Sequence, residues 1–258
     1  METAGFELDS IYYVLLFFAA LFGGFIDTIV GGGGLITIPA LLASGVPAHL
    51  ALATGKLQTI FGLFTASFAY YKSVSIQHLG FGVLCSFIGG ALGTYAVLLV
   101  SDKHLKLVIL ACLVLVFAYM VLKPSLGRQK SEPKIHNIKL FHFIVGLTLG
   151  FYDGFLGAGP GSFWVFAFVL LLGFDMKNAS INMKILNLSS SLAALILFVW
   201  LYEMLWFLGV LMGVGQIIGA FLGSKLVLKT NGRFIKALFL VVVGATICKV
   251  GYDYFCSL

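Results

Sequence analysis

Gly24-Phe25-Ile26-Asp27, then Thr28-Ile29-Val30 and the cluster Gly31-Gly32-Gly33-Gly34, is the stretch on which the fold turns. It sets an acid beside consecutive glycines inside an apolar run. A second copy stands in the other half of the chain, as Gly150-Phe151-Tyr152-Asp153 and then Gly157-Ala158-Gly159-Pro160-Gly161. Each copy is followed by a short apolar piece and by a helix-like run with a lone lysine, Lys56 in the first half and Lys184 in the second. Acids, lysines and broken helices are expensive in lipid. Their recurrence at matched positions points to a transport site at a repeat interface.

The rest of the chain agrees with a membrane setting. It has 258 residues, of which 60% are hydrophobic and 10% charged, and a mean hydropathy of +1.08. A soluble domain of this length cannot hide that much apolar surface, so one integral membrane domain in a lipid bilayer is expected. The net charge of +6 sits in a few loops, where it reports on orientation and not on nucleic-acid binding. Glu2, Glu7 and Asp9 precede the first run with no basic residue among them, unlike the positive start of a cleaved signal. The first run is therefore expected to stay as a membrane segment. Cys85, Cys112, Cys248 and Cys256 are widely spaced and fit small buried residues. No metal or disulfide spacing is visible, and no cofactor is expected. A membrane enzyme is disfavoured by the lack of an H-E-x-x-H, a serine–histidine–aspartate spacing or a cysteine pair.

Apolar runs that can span a bilayer cover 11–30, 50–71, 77–100, 104–122, 140–156, 179–200, 204–222 and 234–254. Runs 35–45 and 162–173, just after the glycines, fall short of the ~20 residues a span needs. They read as half-helices or the return arms of re-entrant hairpins. Glycine backbone at membrane depth is tolerable only inside protein or a water-filled cavity. The polar stretch 123–139 is the linker, separating an N-terminal repeat, 1–122, from a C-terminal repeat, 140–258. Further marks recur in order: Gly90-Ala91-Leu92-Gly93 with Gly219-Ala220-Phe221-Leu222-Gly223, and Ala51 and Lys56 with Ala179 and Lys184. The expected fold is all-α, with two inverted repeats. Each has a Gly-rich broken helix or re-entrant hairpin plus three full spans.

Lysine and arginine concentrate in the linker (Lys123, Arg128, Lys130, Lys134, Lys139) and in the later loop (Lys225, Lys229, Arg233, Lys236), so both are expected to be cytoplasmic. That needs five segments per half, hence inverted halves, with both termini outside. Counting 35–45 and 162–173 as loops gives parallel halves and puts the two basic stretches on opposite sides.

Inverted hairpins would bring their glycine tips together near the midplane. The short helices starting near Leu35 and Ser162 would then aim their N-termini at one place, a setting suited to an oxyanion. The candidate substrate-binding residues are Lys56, Lys184, Gly31, Gly32, Gly33, Gly34, Thr54, Gln58, Gly157, Gly159, Gly161, Asn182 and Asn187. Thr59, Ser189, Ser190 and Ser191 are polar neighbours that also favour a cavity. Each lysine is expected about one and a half turns into its helix; snorkelling to the headgroups is the competing role. Asp27 and Asp153 are candidates for binding a coupling proton, pairing with a lysine, or capping the glycine turn. Gly89–Gly93 and Gly215, Gly219 and Gly223 fit close helix packing. Tyr12, Tyr13, Tyr70, Tyr71, Trp206, Tyr252 and Tyr254 fit interfacial anchors. Trp164 is placed to line the cavity. His49 fits a solvated or capping role, and His78, His104, His136 and His142 flank loops without metal-like clustering.

At these residues the chain resembles the TauE/SafE sulfite exporter family. The similarity lies in 24–34, in Pro39 and Gly45, in Ala51-Leu52-Ala53-Thr54-Gly55-Lys56-Leu57-Gln58, and in the second-half Gly154-Phe155-Leu156-Gly157-Ala158-Gly159-Pro160-Gly161. Gly55 stands where the family pattern has asparagine before the lysine. The resemblance implies a plasma-membrane carrier, an exporter of sulfite or a related organosulfur anion such as a sulfonate. Alternating access and proton coupling are the expected mechanism. A passive anion channel, or a carrier of a small carboxylate without sulfur, is the alternative.

Overall fold

The computed structural model describes residues 8–75, 77–101 and 132–229. Runs 104–122 and 234–254, most of linker 123–139, and Cys112, Cys248, Cys256, His104, Arg233, Lys236, Tyr252 and Tyr254 lie outside them. The described residues form α1 Ser10–Val30, α2 Gly34–Ala43, α3 Ala48–Tyr70, α4 Leu79–Leu98, α5 Ile138–Phe155, α6 Pro160–Leu172, α7 Met176–Leu201 and α8 Trp206–Lys229. A 3-10 turn, Tyr71–Ser73, extends α3, and no strand occurs among the described residues. Five helices, α1, α4, α5, α7 and α8, are long and apolar enough to cross a membrane. The protein is a multi-pass, all-α membrane protein. α3 has 23 residues, but it buries polar groups along its length, including His49, Thr54, Lys56 and Gln58.

Local chemistry sets the breaks. Gly31 closes α1 in the left-handed conformation, φ 77°, with its N–H donating to Asp27 O. Gly159 takes φ 74° before α6, and Pro160 occupies the first turn, where its missing N–H leaves nothing unsatisfied. Asp175 caps α7 by accepting the Asn178 N–H at 2.9 Å.

α2 turns back along α1. Thr37 and Gly33 lie against Gly23, and Leu41 shares a buried cluster with Leu16 and Ala20. α6 turns back along α5 in the same way: Lys134 and Ile135 N–H groups donate to Leu171 O at 2.9 and 3.0 Å, and Phe168 and Leu172 pack with Phe141 and Val145. The two hairpins open on opposite faces. α3 starts at the face where α1 starts and runs antiparallel to α4, with His49 near its start bonded to Val97 O near the end of α4 at 3.0 Å. α4 and α5 then run parallel, with Gly82, Gly89 and Gly93 against His142, Leu147 and Phe151. α1 and α8 also run parallel, with Gly215, Gly219 and Gly223 against Phe17, Leu21 and Phe25. Both glycine series therefore serve close packing, as small residues do between membrane helices. The pattern is reciprocal: the first helix of each half packs on the fourth helix of the other.

The hairpin tips meet inside this frame. Ser162 N–H donates to Gly31 O at 3.2 Å. A Cβ on Gly161 would stand 2.4 Å from Gly31 Cα, and one on Gly34 would stand 2.2 Å from Gly157 O.

Several sequence-based expectations shift. α3 and α7 begin earlier than their apolar runs, so Lys56 and Lys184 each lie eight residues past the helix start, just over two turns and about 12 Å along the axis. Tyr70 is no interfacial anchor: it is fully buried, and its hydroxyl donates to Thr28 O at 3.4 Å. His49 is buried and bonded across to α4, because α3 starts inside the bundle. His142 is also buried, with Nε2 3.0 Å from Gln77 O. Trp164 packs in the cluster with Phe141 and Phe168 and does not line the central cavity.

The tip crossing predicts a contrast. Gly161→Ala and Gly34→Ala should each destabilise the fold by about 1–3 kcal/mol through overpacking. Gly80→Ala should not, since nothing lies within 4 Å of a Cβ there. Thermal unfolding in detergent measures both, and equal midpoints for all three would show that the tips do not touch.

Candidate functional site

Each hairpin carries its acid at the tip end of its first arm, and each long central helix carries one buried lysine, Lys56 on α3 and Lys184 on α7. The structure joins them crosswise. Lys56 Nζ of α3 donates to Asp153 Oδ1 of α5 at 2.5 Å. Lys184 Nζ of α7 donates to Asp27 Oδ2 of α1 at 2.8 Å, and also to the Asp27 carbonyl oxygen. Every lysine thus meets the acid of the other half. All four residues are buried, from 6% exposure for Asp27 down to 0% for Lys184. A buried charge without a partner is costly enough that pairing, not snorkelling, fixes these side chains.

The two acids have different surroundings. Asp153 Oδ2 accepts from Ser190 Oγ and Ser191 Oγ, both at 2.7 Å. Asp27 Oδ1 accepts the Gly33 N–H at 3.2 Å, so Asp27 also caps its own glycine turn. The pairs sit at different depths. Lys184 marks one on α7 and Ser190 and Ser191 mark the other, roughly 10 Å further along the helix at ~1.5 Å per residue.

Between the pairs lies a small cavity of about 10 Å³, room for about one water. Lys56, Thr59, Asp27, Asp153, Asn187 and Ser191 supply its polar lining, with Gly34, Gly157 and Pro160 from the tips and Gly55 from α3. Asn187 Oδ1 is buried there and has no hydrogen-bond partner among the described residues. Thr59 and Asn187 each stand three residues beyond their lysine, on the same helix face.

The other sequence candidates divide by contact. Thr54 Oγ1 accepts the Leu205 N–H at 3.1 Å, and Asn182 Oδ1 accepts the Ser75 N–H at 2.8 Å. Each stands two residues before its lysine and anchors a loop of the other half. Gln58 Oε1 accepts from Gln216 Nε2 at 2.7 Å. These three lie outside the cavity lining, as does Lys184. Gly34 and Gly157 line the cavity, while Gly31 and Gly161 press on each other. A Cβ on Gly33 would meet Asp27 Cβ at 2.7 Å, and one on Gly159 would meet Leu35 at 2.9 Å. A Cβ on Gly32 would meet Leu35, Ile26 and Ser162 Oγ at ordinary contact distances. Some half-helix N–H groups expected to face an anion are already used: Leu35 N–H donates to Gly32 O at 3.1 Å, and Ser162 N–H donates to Gly31 O and Gly159 O. Thr59, Ser190 and Ser191 take site positions beyond the sequence's substrate-binding set. The serine triplet 189–191 inside an apolar helix was the signal for the two serines. No cluster of metal ligands occurs among the described residues.

Removing one member of the pair Lys184–Asp27 should therefore be worse than removing both. Asp27→Asn alone should lower stability by about 3–5 kcal/mol, and adding Lys184→Gln should recover most of it. Denaturation of the purified variants in detergent is the check; strictly additive losses would mean the two do not pair.

The sulfite exporter TauE/SafE family model matches residues 16–250. The chain is 37% identical to the probable membrane transporter protein YfcA of Escherichia coli (strain K12), over 98% of this chain and 95% of that one. It is 36% identical to a probable membrane transporter protein of Haemophilus influenzae, over 93% and 94% of the two chains. It is 25% identical to the probable membrane transporter protein YunE of Bacillus subtilis, over 93% and 98%. No solved structure matches. With its paired acid–glycine hairpins, the chain belongs to the sulfite exporter TauE/SafE family of membrane proteins.

Proposed function

We propose that this protein is a secondary transporter, not an enzyme, that exports sulfite or a related small organosulfur anion across the plasma membrane by alternating access. The observation that carries it is the buried cavity lined by Lys56 and the uncommitted Asn187 at the meeting point of two oppositely opening hairpins. A discontinuous helix pair at a repeat interface is where secondary carriers hold substrate. Two inverted repeats explain the crossed ion pairs and the reciprocal helix packing by one rule. Lys56 provides the cation for an oxyanion, with Thr59 and Asn187 at its sides. A cavity of about 10 Å³ is smaller than any such anion, so binding requires the hairpins to separate. That supports a carrier over an open channel.

The orientation follows from charge. The face with the α3–α4 and α6–α7 connections carries Lys72, Lys134, Lys139, Lys177, Lys225 and Lys229 among the described residues. The opposite face carries Asp9 and Glu203 and no lysine or arginine among the described residues. The basic face is cytoplasmic, so the start of α1 lies outside.

Two experiments test this. In proteoliposomes, sulfite, thiosulfate, sulfoacetate, taurine and lactate should separate, with saturable flux for a sulfur oxyanion. Lys56→Gln should weaken its binding by about 1.5–3 kcal/mol, at least tenfold. Equal affinity in the variant would remove Lys56 from the site, and non-saturating flux would favour a channel. In a cysteine-free background, Glu203→Cys should label from outside and Lys134→Cys from the cytoplasm. Labelling from one side would refute the orientation.

A further inference from the structure

The four buried charges sum to zero, two lysines against two carboxylates. An anion entering this cavity either leaves an uncompensated negative charge or arrives as a carboxylate is neutralised by a proton. We infer that Asp153 is the group that takes this proton, while Asp27 stays charged as part of the scaffold. The inference rests on the transporter reading and names its coupling ion.

The hydrogen-bond partners separate the two acids. A carboxylic acid needs an acceptor for its new O–H. Asp153 Oδ2 faces two serine hydroxyls at 2.7 Å, and a hydroxyl donates or accepts by rotating. With the proton on Oδ2, one of these hydroxyls turns to receive it, and Ser190 still has Asn187 O at 3.1 Å and Leu186 O at 3.4 Å to donate to. No buried polar atom is stranded by the change. Asp27 is placed otherwise. Its Oδ1 faces the Gly33 N–H and its Oδ2 faces the Lys184 ammonium, and both partners can only donate. A proton on Asp27 would therefore meet donors alone.

The surroundings of Asp153 bear this out from each element. α3 presents Lys56; α7 presents Ser190 and Ser191, with Lys184 engaged on Asp27; α4 presents Gly90 and Thr94, whose hydroxyl bonds Gly90 O and Gly154 O. Across the cavity stands Asp27, and α6 contributes Pro160. Lys56 is then the one cation whose partner can be neutralised in place. The step balances. For a singly charged anion such as hydrogensulfite or a monosulfonate, a proton binds Asp153 Oδ2, Lys56 remains an ammonium and turns to the anion, and one negative charge replaces another. The site is neutral before and after, and release reverses both moves together.

The test is sulfite flux into proteoliposomes with and without an imposed pH gradient. The unmodified protein should respond to the gradient. Asp153→Asn should lose that response, and whatever sulfite exchange it retains should be independent of the gradient, because the amide fixes the neutral state. The double variant Ser190→Ala/Ser191→Ala keeps the Lys56–Asp153 pair but removes the acceptors, and its pH profile should shift. A full gradient response in Asp153→Asn overturns the assignment. If that variant does not fold or carries no sulfite, an unchanged pH profile in the serine variant overturns it instead. Absence of any flux of sulfite, sulfoacetate or taurine in the unmodified protein would defeat the transporter reading, not the choice between the acids.

Discussion

Two ion pairs, Lys56–Asp153 and Lys184–Asp27, hold the centre of this molecule, and the rest of the architecture serves to make them possible. At membrane depth a lone lysine or aspartate is expelled, neutralised or paired. Here each is paired with the other half of the chain, so neither hairpin is complete alone. The glycine tips follow from the same demand. Bringing Asp27 and Asp153 within reach of the opposite lysines requires the two turns to touch, and only residues without a Cβ allow that approach.

The ion pairs also set what the site can do. A buried pair contributes little net stability against an apolar core, yet breaking it is severe. Such an arrangement is well suited to exchange, since a ligand that offers a replacement charge removes the penalty for separation. Asp153 is better prepared for that exchange than Asp27. Its oxygen faces hydroxyls of α7, its lysine borders the cavity, and the unpartnered Asn187 Oδ1 lies nearby. Near-symmetry in sequence thus becomes asymmetry in chemistry through two serines.

Much of this was legible in the residues. The acid–glycine phrases located both hairpins, because glycine clusters and isolated charges are rare inside apolar runs. The lone lysines located the central helices, and the four-residue glycine series located the tight helix contacts. Partner choice was not legible: periodicity along one helix does not say which acid faces which lysine. Thr54, Gln58 and Asn182 share a helix with the lysines, yet their faces turn to other helices or loops. Tyr70 and His49 looked like end-of-helix residues until the neighbouring helices closed over them. The glycines were expected to admit a ligand to the backbone, whereas Gly31 and Gly161 admit each other.

An experimental structure of the protein in lipid with sulfite bound bears most directly on the central claim. The account predicts an oxyanion within hydrogen-bonding distance of Lys56 Nζ, beside Thr59 and Asn187, with Asp153 separated from the lysine and held by Ser190 and Ser191. An intact Lys56–Asp153 pair with the anion bound elsewhere would contradict it.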